Sequence, residues 1–325
     1  MNFKKKYLWI VFNIVICSVL LAQGNMATPS IGSFRKYEKN PILLPQNTGF
    51  EAKAVFNPAT IVVNDTVFLF YRAEDWTGHR KWKGTSTIGM AYSVDGVNFT
   101  RYPKPVIIPE FDYELPGGCE DPRIVKIDDL YYLTYTAYNG ESAKLALAVS
   151  KDLLHWNKKG IIIPREWSKA GAILTEKING KYIMYFGDTN IWIAYSDNLI
   201  DWTIDENPVL RPRDGHFDNR IVEPGPPPIL IEKGILLIYN GSNTQIQYET
   251  GWVLFSKDDP KKVLARSEKP FLTLSEDWEK YGQVPDVIFT EGMVKYKSKW
   301  YLYYGCADTY IGVAISKDSY EFFHK

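Results

Sequence analysis

"IGMAYSVDG", residues 88–96, ends an apolar run with Ser93, a variable residue and Asp95. The pattern of an apolar segment followed by Ser and a nearby Asp or Asn occurs four more times along the chain. The serines of the five copies stand 57, 46, 60 and 60 residues apart, and they are Ser93, Ser150, Ser196, Ser256 and Ser316. A period of this length predicts an array of five similar structural units.

Each unit contains four short segments with the patterning of strands. An apolar segment such as residues 59–63 (ATIVV) precedes an aromatic-rich one such as residues 67–73 (VFLFYRA). The Ser-x-Asp segment follows, and a Pro-flanked apolar patch such as residues 101–109 (RYPKPVIIP) ends the unit. Four short strands with turn residues between them are typical of a propeller blade, and the period-2 pattern leaves little room for a helix. We therefore predict an all-β, five-bladed β-propeller.

The last unit stops at residues 319–325 (SYEFFHK), where its fourth strand should begin. The missing pattern occurs at the other end of the chain, in residues 35–45 (RKYEKNPILLP). Because an unpaired sheet edge is a liability, we expect this N-terminal strand to complete the last blade and close the ring. Residues 31–325 are thus predicted to form a single five-bladed propeller domain.

The N-terminus has the order of a secretory signal peptide. Three lysines at positions 4–6 precede an apolar run from Tyr7 to Ala22, and small or polar residues follow. This order predicts that residues 1–24 are removed and that the protein is exported, to the periplasm or the medium. The apolar run is short for a membrane span of about 20 residues. A lipid anchor at Cys17 is less favoured, because the bulky Ile16 precedes it.

Composition excludes several classes of partner. The chain has 38 basic and 38 acidic residues and no basic block, which argues against a nucleic-acid partner. The four histidines are scattered, so neither a metal site nor a cofactor is predicted. Cys119 and Cys306, the cysteines left after signal removal, allow at most one disulfide.

The predicted fold brings distant polar residues to one face. In a propeller, the starts of the first strands and the loops between the second and third strands converge near the central axis. The polar residues at these places are Asn57, Arg72, Glu74, Asp75, Glu120, Asp121, Tyr138, Asn139, Lys169, Asp188, Glu223, Asn240, Glu249, Glu291 and Asp308. Several carboxylates around one pocket suit a polyhydroxyl ligand, and glycoside hydrolysis needs a carboxylic acid and a carboxylate. Alternatively, some of these acids cap loops or pair with Arg72 and Arg123.

The segment "GCEDPR", residues 118–123, illustrates the choice. As an isolated segment, its Asp-Pro step indicates a turn. In the predicted propeller, however, Glu120 and Asp121 start a first strand and therefore face the axis.

A series of ordered motifs resembles glycoside hydrolase family 130. They include "FNPA" (56–59), "YRAED" (71–75), "GCEDPRI" (118–124), "EPGPPPI" (223–229) and "YGQVPDVIF" (281–289), and the resemblance runs from about Phe34 to the C-terminus. The family contains mannoside phosphorylases and β-1,2-mannosidases on a five-bladed propeller. The resemblance implies that Asp121 is the proton donor, with Arg123 beside it.

The sequence departs from the phosphorylases of that family where they bind phosphate. Lys169, Gly187, Ile221 and Asn240 stand at or near positions where those enzymes have Arg, Arg, Lys and His. Phosphate needs cationic ligands, so these changes and the nearby Glu223, Glu249 and Glu291 resemble the hydrolytic branch.

We therefore predict an exported, inverting β-mannosidase acting on β-1,2-linked or related β-linked manno-oligosaccharides. Asp121 is the predicted acid, Glu249 and Glu291 hold the attacking water, and Glu223 is the reserve candidate. Acid and base should stand ~6.5–9.5 Å apart. The residues expected to contact substrate are Asn57, Arg72, Glu120, Arg123, Tyr138, Lys169, Asp188, Asn240, Tyr248 and Asp308, and Trp76, Trp82 and Tyr248 could stack on sugars.

Two alternatives remain open at this point. One is a β-mannoside phosphorylase that uses inorganic phosphate, bound through Arg72, Arg123 and Lys169. The other is a propeller that binds sugar without catalysis.

Overall fold

The computed structural model of the protein describes residues 32–77 and 84–316, and this part of the chain is all-β. It contains 21 strands, a three-residue 3-10 helix (Gly49–Glu51) and a four-residue helix α1 (Asp277–Lys280). In chain order the strands are β1 (Phe34–Lys36), β2 (Ala54–Val63), β3 (Thr66–Glu74), β4 (Ser86–Ser93), β5 (Thr100–Arg101), β6 (Gly118–Ile127), β7 (Leu130–Tyr138), β8 (Ala143–Ser150), β9 (Trp156–Ile163), β10 (Ala172–Ile173), β11 (Tyr182–Phe186), β12 (Trp192–Ser196), β13 (Thr203–Ile204), β14 (Ile221–Pro224), β15 (Ile229–Ile231), β16 (Gly234–Ser242), β17 (Tyr248–Phe255), β18 (Val263–Arg266), β19 (Ile288–Tyr296), β20 (Lys299–Cys306) and β21 (Tyr310–Ser316).

Consecutive strands pair antiparallel and form strand groups. Groups 1 and 2, β2–β5 and β6–β9, share one sheet through a single parallel bridge between Ser86 and Gly118. Group 3 is β10–β13, and group 4 is β14–β18, in which β14 and β15 both pair with β16. Group 5 has the order β1-β21-β20-β19. None of the sheets in the described part of the chain closes on itself.

The N-terminal strand β1 belongs to group 5, as its sequence pattern predicts. Phe34, Arg35 and Lys36 pair with Ser316, Ile315 and Ala314 of β21. Farther along the segment, the Asn40 side chain donates to the carbonyl of Val313 at 2.9 Å and accepts from its amide at 3.0 Å. The first strand of the described part of the chain is therefore held by the last one.

The Ser-x-Asp repeat is a turn at the end of a third strand. The Ser93 hydroxyl accepts hydrogen bonds from the amides of Asp95 and Gly96, and the Asp95 carboxylate accepts from the next two amides. Ser150 and Asp152 repeat this geometry in group 2. Such side-chain bonds replace the backbone partners that a strand loses at its end, which explains why the pair recurs.

A buried tyrosine–carboxylate–cation cluster fixes four of the five strand groups described. A second-strand tyrosine donates to an acid that lies before the first strand, and a cation from the outer strand pairs with the same acid. The clusters are Tyr71–Glu51–Arg101, Tyr135–Glu114–Lys158, Tyr239–Asp218–Arg266 and Tyr304–Glu279–Lys36. In group 3 the corresponding Tyr185 donates to the carbonyl of Pro260 at 2.8 Å. Lys36 of β1 thus occupies the place of an outer-strand cation.

Apolar layers pack each group against the next. Clusters of buried apolar residues join group 1 to group 2, group 2 to 3 and group 3 to 4. Between groups 4 and 5, buried residues of group 4 pack against partly buried ones of group 5. A further cluster joins group 5 to group 1, with Leu69 and Tyr303 among its members. Removing each such side chain from water stabilises the fold by about 1.5–3 kcal/mol.

Cys119 and Cys306 are buried free thiols, so the disulfide that the sequence allowed is not formed. No helix in residues 32–77 and 84–316 has the length and apolar character needed to cross a bilayer. The signal peptide predicted for residues 1–24 and the stacking residue Trp82 lie outside the described residues.

We predict that Lys36→Met lowers the free energy of unfolding by about 3 kcal/mol, because it leaves the buried Glu279 carboxylate without its cation. Urea denaturation measures this change. The matched control Lys39→Met alters an exposed lysine just beyond β1 and should cost less than about 0.5 kcal/mol. Equal stability of the two variants would show that β1 is not tied to the last group through Lys36.

Candidate active site

The first strands of groups 1, 2 and 5 carry bulges at matching places. The registers shift between Phe56 and Pro58, between Glu120 and Arg123, and between Thr290 and Gly292. In a regular strand, neighbouring side chains face opposite sides of the sheet. A bulge inserts an extra residue and interrupts this alternation, so two neighbouring side chains can face the same side. In group 2 the bulge brings both Glu120 and Asp121 to one cavity. The "EDPR" segment is therefore an interrupted strand rather than an outer turn.

In two of the three bulges, the extra residue is of a type that tolerates a left-handed backbone. Asn57 has φ 51° and Asp121 has φ 48°. Asn and Asp enter this region most readily among residues with a side chain, because their short polar groups bond locally. The two do so here with each other, since Asn57 Nδ2 donates to Asp121 Oδ1 at 2.9 Å.

The bulges of groups 1 and 2 line a cavity with two lobes. The lobe that contains Asp121, here named the inner lobe, has a volume of about 480 Å³, and its polar lining is Asn57, Arg72, Asp121, Arg123, Lys169, Asp188, Thr189, Arg220, Glu223, Tyr248 and Asp308. The outer lobe has a volume of about 320 Å³ and is lined by Phe56, Arg72, Glu74, Glu120, Tyr138, Trp167, Lys169, Gln283, Val284 and Asp308. Arg72, Lys169 and Asp308 lie where the lobes meet. Eleven of the fourteen predicted site residues line the cavity, and Glu249, Glu291 and Asn240 do not.

Arg72 is the cation at the junction of the lobes. Its guanidinium lies 2.6 Å from Glu74, 2.9 Å from Glu120 and 3.4 Å from Asp121, and Nε donates to Ser86 at 2.9 Å. Lys53 also pairs with Glu74, at 2.6 Å. Arg72 therefore neutralises carboxylates of the protein itself. The alternative considered from sequence, that some of the acids pair with Arg72, is correct.

Asp121 and Glu120 ionise differently although they are neighbours. Burial alone would raise the pKa of Asp121, but Arg72, Lys169, Arg123 and the bond from Asn57 lower it below its ordinary value. Burial raises the pKa of Glu120 to about 7 despite the attraction of Arg72, and the charge of Asp121 adds to the rise. Asp121 thus carries the negative charge of the pair at neutral pH.

Glu223 lies on β14 and lines the inner lobe. Burial and the nearby Asp188 together raise its pKa to about 8, while Lys169 opposes the shift. Lys169 Nζ lies 3.7 Å from Asp188. Asp308 behaves similarly, since burial raises its pKa to about 7 against the attraction of Arg72. The cavity therefore holds several carboxyl groups whose pKa values lie near neutral pH.

Glu291 lies one layer below the cavity lining. It is fully buried, 2.8 Å from Nη1 of Arg123, and its carboxylate oxygens accept no hydrogen bond from the described residues. Burial raises its pKa well above the usual range. Glu291 was predicted to face the cavity and to hold the attacking water, and the structure corrects this prediction.

Glu249 and Asn240 were also predicted to face the cavity, and both predictions are wrong. Glu249 follows Tyr248 within β17, and the strand pleat turns it to the other side, where it accepts from the amide of Leu274 at 3.3 Å. Asn240 lies within β16, and its side chain is hydrogen-bonded to the backbone of Thr290. It donates to the Thr290 carbonyl at 3.0 Å and accepts from the Thr290 amide at 2.8 Å. The strands extend farther into these segments than the sequence indicated.

The aromatic residues of the cavity differ from those predicted. Tyr248 lines the inner lobe, whereas Trp76 is 64% exposed and contributes to neither lobe. Tyr138 lines the outer lobe together with Trp167, their ring centroids 6.5 Å apart. Trp167 was missed, although its position two residues before Lys169 at a first-strand start could have suggested it.

Some polar residues at the edges of the cavity were not predicted, and one residue that was predicted to face the cavity has another role. Gln283 and the exposed Arg220 were not predicted, because they lie in connections between groups. Asp75 accepts from the amides of Thr77 and Thr85 and so caps its own loop, one of the alternatives considered from sequence. In residues 32–77 and 84–316, no set of three or more His, Cys, Asp and Glu side chains could hold a metal ion.

The arrangement can bind an uncharged polyhydroxyl molecule and move protons. Six carboxyl groups and four cations line the two lobes: Glu74, Glu120, Asp121, Asp188, Glu223, Asp308, and Arg72, Arg123, Lys169, Arg220. Sugar hydroxyls can donate to carboxylates and accept from cations in such a site. Carboxyl groups with separated pKa values supply an acid and a base.

Comparison with known proteins agrees with this chemistry. The sequence model of glycoside hydrolase family 130, described as beta-1,4-mannooligosaccharide phosphorylase, matches residues 33–320. The 1,2-beta-oligomannan phosphorylase of Thermoanaerobacter sp. (strain X514) is 42% identical over 287 residues, which cover 86% of this chain and 96% of that protein.

Solved structures of similar chains give the same assignment. A glycosyl hydrolase from Bacteroides ovatus is 37% identical with a TM-score of 0.84, covering 88% of this chain and 94% of its own. A second structure, from work showing that the GH130 family of mannoside phosphorylases contains glycoside hydrolases that target beta-1,2 mannosidic linkages in Candida mannan, is 36% identical with a TM-score of 0.84. It covers 90% of this chain and 94% of its own. The chain belongs to glycoside hydrolase family 130, whose members act on mannosides.

Proposed function

We propose that this protein hydrolyses the terminal linkage of β-1,2-linked manno-oligosaccharides with inversion at the anomeric carbon. The observation that carries this proposal is the surplus of carboxyl groups in the cavity, six against four cations. A phosphate dianion entering such a site must be neutralised, whereas an uncharged sugar and a water molecule need not be.

The two lobes suggest how a mannoside would lie. The inner lobe, which contains Asp121 and Glu223, suits the mannosyl residue to be released. The outer lobe suits the leaving sugar, with the rings of Tyr138 and Trp167 as stacking surfaces. The scissile oxygen then lies near Arg72, Lys169 and Asp308, where the lobes meet.

Asp121 and Glu223 are the proposed catalytic pair. Asp121 protonates the leaving oxygen, directly or through a sugar hydroxyl, and Glu223 accepts a proton from the attacking water. Glu223 replaces Glu249 and Glu291 in this role, because it alone of the three lines the cavity. The pair works while it holds one proton, between the low pKa of Asp121 and the pKa of Glu223 at about 8. Without substrate that proton rests on Glu223, and the reaction proceeds from the form in which Asp121 carries the proton and Glu223 is ionised.

Phosphorolysis is the second candidate, and the name of the Thermoanaerobacter relative favours it over the hydrolysis predicted from sequence. Of the cations expected to hold phosphate, Arg72 is paired with three carboxylates and Arg123 with backbone carbonyls. Lys169 and the exposed Arg220 are the cations best placed to bind an anion in the inner lobe.

We further propose that the five strand groups are the blades of one propeller over residues 31–325 and that β1 closes the ring. The apolar cluster between groups 5 and 1 and the outer-strand role of Lys36 support this arrangement. Export after removal of residues 1–24 also remains a proposal, supported by the order of basic, apolar and small residues at the N-terminus.

We predict that the enzyme releases mannose from β-1,2-mannobiose at the same rate with and without 10-fold excess phosphate. Ion chromatography of the products distinguishes mannose from mannose 1-phosphate, and NMR of early samples should show the α anomer. Formation of mannose 1-phosphate that depends on added phosphate would establish the phosphorylase instead. Binding of mannobiose without turnover under either condition would exclude both enzymes.

We predict that Glu223→Gln lowers kcat by at least about 10³-fold, because the amide cannot accept a proton from water. The matched control is Glu249→Gln in the same strand group, which should change kcat less than threefold since Glu249 faces away from the cavity. Steady-state hydrolysis of mannobiose measures both. A large loss in Glu249→Gln with normal activity in Glu223→Gln would reverse the assignment.

We predict that kcat/KM falls above pH 8, where Glu223 and Asp121 together lose their last proton. Asp188 raises the pKa of Glu223, so Asp188→Asn lowers that pKa and moves the descending limb to lower pH. Asp197→Asn, an exposed acid in the same strand group as Asp188, should leave the limb in place. A limb that does not move in Asp188→Asn would assign it to another group.

A further inference from the structure

Arg123 is a buried cation in the lining of the inner lobe, with a side chain only 1% exposed. Its Nη1 donates to the carbonyl of Asp121 at 2.9 Å, its Nη2 to the carbonyl of Pro224 at 2.8 Å, and its Nε to the carbonyl of Gly225 at 3.2 Å. Nη1 also lies 2.8 Å from the Glu291 carboxylate. One planar guanidinium thereby contacts the first strands of groups 2, 4 and 5.

These carbonyls belong to the two places that carry the proposed catalytic groups. The carbonyl of Asp121 lies in the bulge of β6, where residues 121 and 122 have no partner in the ladder with β7. The carbonyls of Pro224 and Gly225 directly follow Glu223. The guanidinium therefore joins the backbone of the acid to the backbone that carries the base.

The contacts leave Arg123 poorly placed to bind a ligand. All three nitrogens of the guanidinium donate to backbone, and a bidentate grip on phosphate or sugar would break at least one of these bonds. Losing a partner for a buried charge is costly. The substrate-contact role predicted for Arg123 from sequence therefore does not fit its surroundings.

We propose that Arg123 is a positioning residue that sets the separation and orientation of Asp121 and Glu223. The proposal rests on the proposed function of those two groups. An inverting reaction needs a fixed gap between acid and base to admit a water molecule. Arg123 fixes that gap through the backbone, because its three donors diverge from one rigid plane.

Lysine cannot reproduce this geometry. Its ammonium group is a single point at the end of a flexible chain, whereas the guanidinium presents donors in a fixed fork. Arg123→Lys retains the positive charge, so the electrostatic effect on the pKa values of Asp121 and Glu223 is largely kept. The lysine variant cannot donate hydrogen bonds to both backbone segments in the geometry of the guanidinium.

The test compares Arg123→Lys with Lys126→Gln, an exposed residue on the same strand. Steady-state hydrolysis of β-1,2-mannobiose should show kcat reduced at least about 100-fold in Arg123→Lys, with KM within threefold of wild type. Lys126→Gln should leave both unchanged. A raised KM with normal kcat would identify a substrate contact, and normal values of both with a lower Tm would identify a purely structural role. Either result overturns the proposal.

A second variant decides the matter if Arg123→Lys does not fold. In Gly225→Ala the new Cβ would meet the carbonyl of Ile238 at 2.8 Å and that of Thr290 at 3.0 Å, so the Gly225 carbonyl must move. All side chains of the cavity remain. We expect kcat at least 10-fold lower with unchanged KM, and normal kcat would overturn the proposal.

The failure of the proposed function is recognised separately. If wild-type protein cleaves no β-mannoside, with or without phosphate, the reaction is wrong whatever the variants do. If wild type releases mannose and both Arg123→Lys and Gly225→Ala retain its kcat, hydrolysis stands and the positioning role of Arg123 falls.

Discussion

The buried guanidinium of Arg123 is the contact on which the geometry of the site depends. A charge removed from water must be satisfied by several partners at once, and here these partners come from strands that lie far apart in the chain. The strands of groups 2, 4 and 5 cannot separate without exposing or stranding that charge. The guanidinium of Arg123 thus fixes the segments that carry Asp121, Glu223 and Glu291, which surround it.

The cavity shows what a crowd of acids does in a confined space. Burial raises the pKa of Glu120, Asp308 and Glu223 into the range of about 7 to 8, so these groups cannot all be ionised at neutral pH. Arg72 keeps Asp121 charged among them. The cavity therefore contains protonated carboxyl groups at neutral pH, and an additional anion would meet groups that already compete for few cations.

Much of the fold is encoded in short repeats whose physical role the structure explains. The Ser-x-Asp pair marks the end of a third strand because its oxygens bind the free amides of the turn. The aromatic second strands supply the buried tyrosines of the clusters that fix each group. Since these features are local, the strand order and the place of β1 can be predicted from the sequence.

The site is only partly predictable for the same reason. The cavity positions of Asn57, Asp121 and Glu223 could be predicted because these residues lie near the starts of first strands, where the fold constrains the direction of a side chain. Glu249 and Asn240 were misplaced because the ends of β16 and β17 could not be read from the sequence, and a shift of one residue reverses the facing of a side chain. Trp167 and Gln283 lie in irregular connections, whose paths depend on distant contacts.

The tyrosine–carboxylate–cation clusters determine how far each strand group depends on its neighbours. In four groups the buried acid finds both its tyrosine and its cation within the same group, so it requires no polar partner from the adjacent sheet. Group 3 differs, because Tyr185 donates to the carbonyl of Pro260 between β17 and β18. Group 3 is therefore fastened through group 4, so a change that displaces the connection between β17 and β18 would loosen both groups.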